Sequence, residues 1–118
     1  MVALLLVIAA ATWTYSVAAQ EVKAVEVRIA ERTTALPDDV LRVTEGERVE
    51  LRLLSDEEGE LHLHGYDIEI PLRAGETTSV VIDAKVAGRF PVTAHRFGPP
   101  QGAMHGHEVL FYLEVYPR

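Results

Sequence analysis

Along most of this chain apolar residues recur at every second position, and that period decides the fold class. In VEVRIAE, Val25, Val27 and Ile29 fall on one side, with Glu26, Arg28 and Ala30 on the other. Val49, Leu51 and Leu53 alternate in the same way with Glu50 and Arg52. A strand turns successive side chains to opposite faces, so each segment reads as a strand with one dry and one wet side. Turn signals separate the segments: Pro37-Asp38-Asp39, Glu45-Gly46-Glu47, the DEEGE run at 56–60, and Ala74-Gly75. LHLHGYDIEI resumes the alternation, with Asp67 and Glu69 on its wet side, and Pro71 is expected to break it before TTSVVIDA. In GRFPVTA, Phe90, Val92 and Ala94 face one way and Arg89, Pro91 and Thr93 the other. Pro91 has no N–H to give a ladder, so it must face a strand edge or an irregularity. The last segment, HEVLFYLEVYP, puts Val109, Phe111, Leu113 and Val115 on its apolar side. No stretch after Gln20 has a helical period and no internal repeat is visible. Many short strands between turns imply an all-β protein, a Greek-key β-sandwich or barrel.

With 118 residues, 48% of them hydrophobic and 25% charged, the chain suits one compact domain. A net charge of −7 argues against nucleic acid as a partner, because that ligand needs a basic face. Val2 to Gln20 carries no charge; it opens with a dense apolar block, has no Lys or Arg ahead of it, and ends in small residues before Glu21. This layout leads us to expect residues 1–19 to be a signal peptide cleaved after Ala19, or else an uncleaved N-terminal membrane anchor, and residues 20–118 to be the domain. The protein is expected to be exported, periplasmic or extracellular, touching a membrane only through an uncleaved leader.

The histidines are unevenly placed. Two of the five, His62 and His64, lie in LHLHGYD; the others, His95, His105 and His107, share a Gly- and Pro-containing stretch with Met104. His62 and His64 are two apart and so share a strand face, opposite Leu61 and Leu63. Imidazole suits copper, zinc and nickel, and a neighbouring thioether leans toward Cu(I). Each residue also has an ordinary role open to it: His62, His64 and His95 as polar strand positions, Met104 as core packing.

From about Leu41 onward the order of features resembles the cupredoxin family. The motifs that carry the likeness are His64-Gly65-Tyr66, then Ala74-Gly75-Glu76 with TTSVVIDA, then Gly88-x-Phe90-x-Val92-x-Ala94, and Met104-x-Gly106 before the last strand. Together they span roughly two-thirds of the chain as an ordered set of weak motifs. The resemblance implies a cupredoxin-like sandwich and a copper site of His64, His95 and Met104. His105 or His107 would complete it, and His62 would be a further ligand or a supporting partner. Cu(II) would favour the imidazoles and Cu(I) would recruit Met104.

The departures from the family are chemical. Where it carries its copper-binding cysteine stands Ala94, and three residues on, where a ligand histidine is expected, stands Phe97. With no cysteine in the chain, neither a blue copper centre nor a cysteine-bridged pair of coppers can form. No catalytic residues are expected: Ser16, Ser55 and Ser79 lack a nucleophile context, and Asp56, Glu57, Glu58 and Glu60 read as a solvated turn. The resulting expectation is a non-enzymatic copper carrier or accessory factor, whose partners are the copper ion and a periplasmic or membrane protein. Two alternatives stay open: a metal-free interaction module of the same fold, and a copper redox protein with an open coordination position.

Overall fold

The computed structural model describes residues 9–17, 21–98 and 108–118. The expected leader therefore falls partly outside the described residues; its segment 9–17 has no regular structure and exposes Trp13, Tyr15 and Val17. Among the described residues no helix is long and apolar enough to cross a membrane.

The described residues form nine strands: β1 Val22–Ala30, β2 Thr33–Thr34, β3 Val40–Thr44, β4 Arg48–Ser55, β5 Gly59–Leu63, β6 Ile68–Leu72, β7 Thr77–Asp83, β8 Gly88–His95 and β9 Glu108–Tyr116. They form two sheets, a four-stranded one ordered β2-β1-β4-β7 and a five-stranded one ordered β3-β9-β8-β5-β6. The chain passes through β5, β6 and β7, then returns with β8 to lie beside β5, a Greek-key return. Two pairings, β1 with β4 and β3 with β9, are parallel. The all-β sandwich expected from the alternation is therefore the observed architecture.

The core lies between the sheets and is built from the alternating positions. Ile29, Leu51, Leu53, Leu61, Leu63, Ile82, Phe111 and Leu113 are all under 2% or at 2% exposed. Burying each such side chain contributes roughly 1.5–3 kcal/mol relative to leaving it in water. The only buried polar residues among those described are Ser55 and Thr93. Ser55 is satisfied by its own turn: its hydroxyl donates to the Glu57 carbonyl at 2.7 Å and accepts from the Glu57 N–H at 3.1 Å.

Three local expectations are corrected. LHLHGYDIEI is not one strand: β5 ends at Leu63, residues 64–67 turn, and β6 runs back against β5. Pro71 lies inside β6 rather than ending it, which is tolerated because β6 is an edge strand with no second neighbour. Val109 is exposed, and Leu110 takes the inward place instead. The register between β8 and β9 slips there, Val92 pairing with Phe111 but Thr93 with Val109, and one extra residue exchanges the two faces. Pro91 sits beside this irregularity, as its missing N–H requires.

Candidate metal centre

Strand alternation alone orients most of this site. In β5, Leu61 and Leu63 fill the core, so His62 between them must face outward. In β8, Val92 and Ala94 fill the core, so Thr93 and His95 face outward. The antiparallel register sets His62 opposite Thr93, Leu61 opposite Ala94 and Glu60 opposite His95. The outer face of the five-stranded sheet thus acquires two imidazoles and a hydroxyl on adjacent strands.

His64 joins them from the turn that follows β5. Its backbone N–H donates to the Pro91 carbonyl at 3.1 Å, which carries the β5–β8 pairing one bond past the end of the strand. The turn is then fixed by its next two residues. Gly65 adopts φ +84°, and a Cβ there would lie 2.3 Å from the Phe90 ring, so no side chain fits. Tyr66 packs edge-on against Phe90 with ring centroids 5.0 Å apart. Its hydroxyl donates to the Val86 carbonyl at 2.8 Å and accepts the Val86 N–H at 3.2 Å. His64 is held from the chain between β7 and β8 as well as from β5.

His62, His64 and His95 form a group in which one ring nitrogen from each lies within 4.8 Å of the others. All three are half-buried. The His62 and His64 ring centroids are 4.2 Å apart and those of His62 and His95 are 6.1 Å apart. Thr93 Oγ1 is 2.8 Å from His64 Nε2 and 2.9 Å from His95 Nε2. The imidazoles cover this threonine, which explains why a residue on the outer face is only 5% exposed. His62 Nε2 lies 3.3 Å from Asp67 Oδ1. Glu60, opposite His95, is occupied by Arg96 at 2.7 Å.

These donors fit a metal ion. Metal–imidazole bonds are about 2.0–2.1 Å long, so two nitrogens on one ion stand at most about 4 Å apart. The 4.8 Å limit of the group exceeds that span by less than about 1 Å. An all-nitrogen set of this kind suits copper, zinc or nickel.

Of the six residues predicted as ligands, the fold brings His62, His64 and His95 together, and Met104, His105 and His107 lie outside the described residues. The described chain resumes at Glu108, the Cα partner of Ala94 and so next to His95. Ala94 and Phe97, where the resemblance led us to look for a cysteine and a histidine, are buried at 3% and 1%. Phe97 lies so close to Gly59 that a Cβ on Gly59 would be 2.5 Å from its ring. Hydrocarbon fills the interior positions, and the imidazoles gather on the opposite face of the same strands.

Two partners went unrecognised in the sequence. Thr93 was legible as outward-facing, but its burial depends on the β5–β8 pairing, which no local pattern gives. Asp67 read as the wet side of a strand; it sits instead in the turn at φ +54°, where its carboxylate reaches back to His62.

No protein-family model matches the chain, and a search of curated proteins found no match. Solved structures do match. The solution structure of a copper binding protein in the apo form is 12% identical, with a TM-score of 0.58 over 80% of this chain and 87% of that one. A copper nitrite reductase from Nitrosomonas europaea is 18% identical, with a TM-score of 0.59 over 83% of this chain and 42% of that one. A multi-copper oxidase from Pseudomonas thermotolerans is 20% identical, with a TM-score of 0.62 over 85% of this chain and 31% of that one. The chain thus spans less than half of either enzyme chain. At these identities the likeness is one of fold, and that fold is the cupredoxin-like sandwich.

Proposed function

We propose that this chain binds one copper ion on the outer face of its cupredoxin-like sandwich, through His62, His64 and His95, and works as an exported copper carrier or accessory factor without catalytic turnover. The observation that carries this reading is the convergence of three imidazole nitrogens within 4.8 Å from two strands and a turn. The solved proteins compared above that share the fold are a copper binding protein, a copper nitrite reductase and a multi-copper oxidase, which favours copper over zinc or nickel. A resident copper would supply a Lewis-acidic centre able to exist as Cu(II) or Cu(I). The chain's own residues hold the imidazoles, orient them and half-bury them. Met104, His105 and His107 are the proposed additional donors, with Met104 favouring Cu(I).

A copper held by imidazoles without a thiolate lacks the covalent copper–sulfur bond that speeds electron transfer in blue centres. Carriage or delivery suits such a site better than electron relay, and delivery requires a periplasmic or membrane protein as recipient. The test is titration of the purified full chain with Cu(II) and with Cu(I) under reducing conditions. One equivalent should bind, and replacing all three histidines with Ala should abolish that equivalent; equal uptake by the variant contradicts the assignment. Acidification should release the metal, because each imidazole must lose its proton to coordinate. Export is tested by N-terminal sequencing of protein recovered from expressing cells. A start at Gln20 supports a cleaved leader, an intact leader in the membrane fraction supports an anchor, and intact protein in the cytosol contradicts export.

A further inference from the structure

Thr93 occupies an unusual position for a hydroxyl. It stands on the outer face of a sheet yet is 5% exposed, and its one oxygen lies 2.8 Å and 2.9 Å from the Nε2 atoms of two different histidines. His62, the third member, has its own Nε2 3.3 Å from a carboxylate oxygen of Asp67. Every Nε2 in the group therefore already has an oxygen partner.

The chemistry of those partners restricts the rings. A carboxylate only accepts, so the contact with Asp67 requires His62 to carry its proton on Nε2. A neutral imidazole with Nε2–H keeps its lone pair on Nδ1. A threonine oxygen has two lone pairs and can accept from two N–H groups at once. If Thr93 does so, His64 and His95 take the same tautomer as His62, and all three rings offer Nδ1 to an ion. Metal-bound histidines commonly give their other ring N–H to an oxygen acceptor, which fixes the ring and strengthens the ligand.

Resting on the copper-binding reading above, we propose that Thr93 is the positioning residue of this site: its single hydroxyl accepts Nε2–H from both His64 and His95, so that copper binds their Nδ1 atoms. Thr93 does not touch the metal. It ties β8 to the turn after β5 across one shared oxygen, and so couples two ligands that come from separate parts of the chain. A side chain of the same shape without the hydroxyl would take the shared acceptor away from both rings.

The test uses the full chain and three variants: Thr93→Val, which keeps the shape, Thr93→Ser, which keeps the hydroxyl, and a control with His62, His64 and His95 all changed to Ala. In the metal-free protein, long-range 1H–15N spectra should show His64 and His95 as Nε2–H tautomers, and Thr93→Val should mix the tautomers. Loading with Cu(I), which is diamagnetic, should shift the Nδ1 resonances and leave the Nε2 protons in place. Copper affinity should fall about 10- to 100-fold in Thr93→Val and return toward the parent value in Thr93→Ser. Loss of the Nε2 protons on loading, or a Thr93→Val protein with parental tautomers and affinity, overturns the proposal while copper binding stands. Failure of the parent to take up more copper than the triple-histidine control removes the reading beneath it, a different outcome from either.

Discussion

The two faces of the β5–β8 pair carry opposite chemistry from interleaved residues. Inward lie Leu61, Leu63, Val92 and Ala94, all at 3% exposure or less. Outward lie His62, Thr93 and His95, with His64 brought alongside by the next turn. Neighbouring positions therefore serve different ends: Ala94 closes the core and His95, one residue on, enters the histidine group. A sandwich of this kind can keep a sealed hydrocarbon interior and still gather imidazoles on the outer face of the same strands. A ligand on the inner face would have to displace packing; one on the outer face costs the core nothing.

Substitutions on the two faces should cost different properties. Replacing His64 and His95 together with Ala should lower copper affinity by more than about 100-fold, beyond the usual effect of removing a supporting partner. Its unfolding free energy should change by less than about 1 kcal/mol, as for a surface substitution. Calorimetric titration and urea unfolding check both halves. Leu61→Ala should do the reverse, losing about 2–5 kcal/mol of stability by leaving a cavity while retaining copper stoichiometry under folding conditions. A Leu61→Ala protein that is fully folded but cannot bind copper would mean the two faces are not separable.

How much of this was legible in the sequence follows from the same alternation. The wet and dry sides of β5 and β8 could be read residue by residue, so His62 was placed outward and Thr93 on the face opposite Ala94, whereas His64, read as a strand position, reaches the same side from the turn after β5. The Greek-key sandwich followed from the turn signals between the apolar periods. Pairing could not be read, because residues that stand opposite one another, such as Val25 and Leu51 or Val40 and Tyr112, are distant in the chain and leave no local trace. The Leu110 irregularity escaped for the same reason: it exists only in the register between two strands. Thr93 as a buried hydroxyl and Asp67 as the partner of His62 required that register and the turn at Gly65.

Smaller effects sharpen the contrast. Ala94→Cys puts a thiol on the inner face, so the copper-loaded protein should gain no intense sulfur-to-copper absorption, with at most about 1–3 kcal/mol lost to crowding. A strong visible band would show that the inner face reaches the ion. His62→Ala should weaken copper binding less than either His64→Ala or His95→Ala, since the oxygen partner of His62 is an exposed carboxylate, while the other two share a buried hydroxyl. Equal losses at all three positions would make them equivalent ligands and remove that distinction.

In the proposed site three imidazoles, from β5, its following turn and β8, hold one copper ion together. Electron paramagnetic resonance of the full chain loaded with one equivalent of Cu(II) tests it directly, through the magnetic coupling of the metal to ligand nitrogen. An axial spectrum with couplings from several imidazole nitrogens is expected, and it should disappear when His62, His64 and His95 are all replaced by Ala. An identical spectrum in that variant would place the copper elsewhere on the chain.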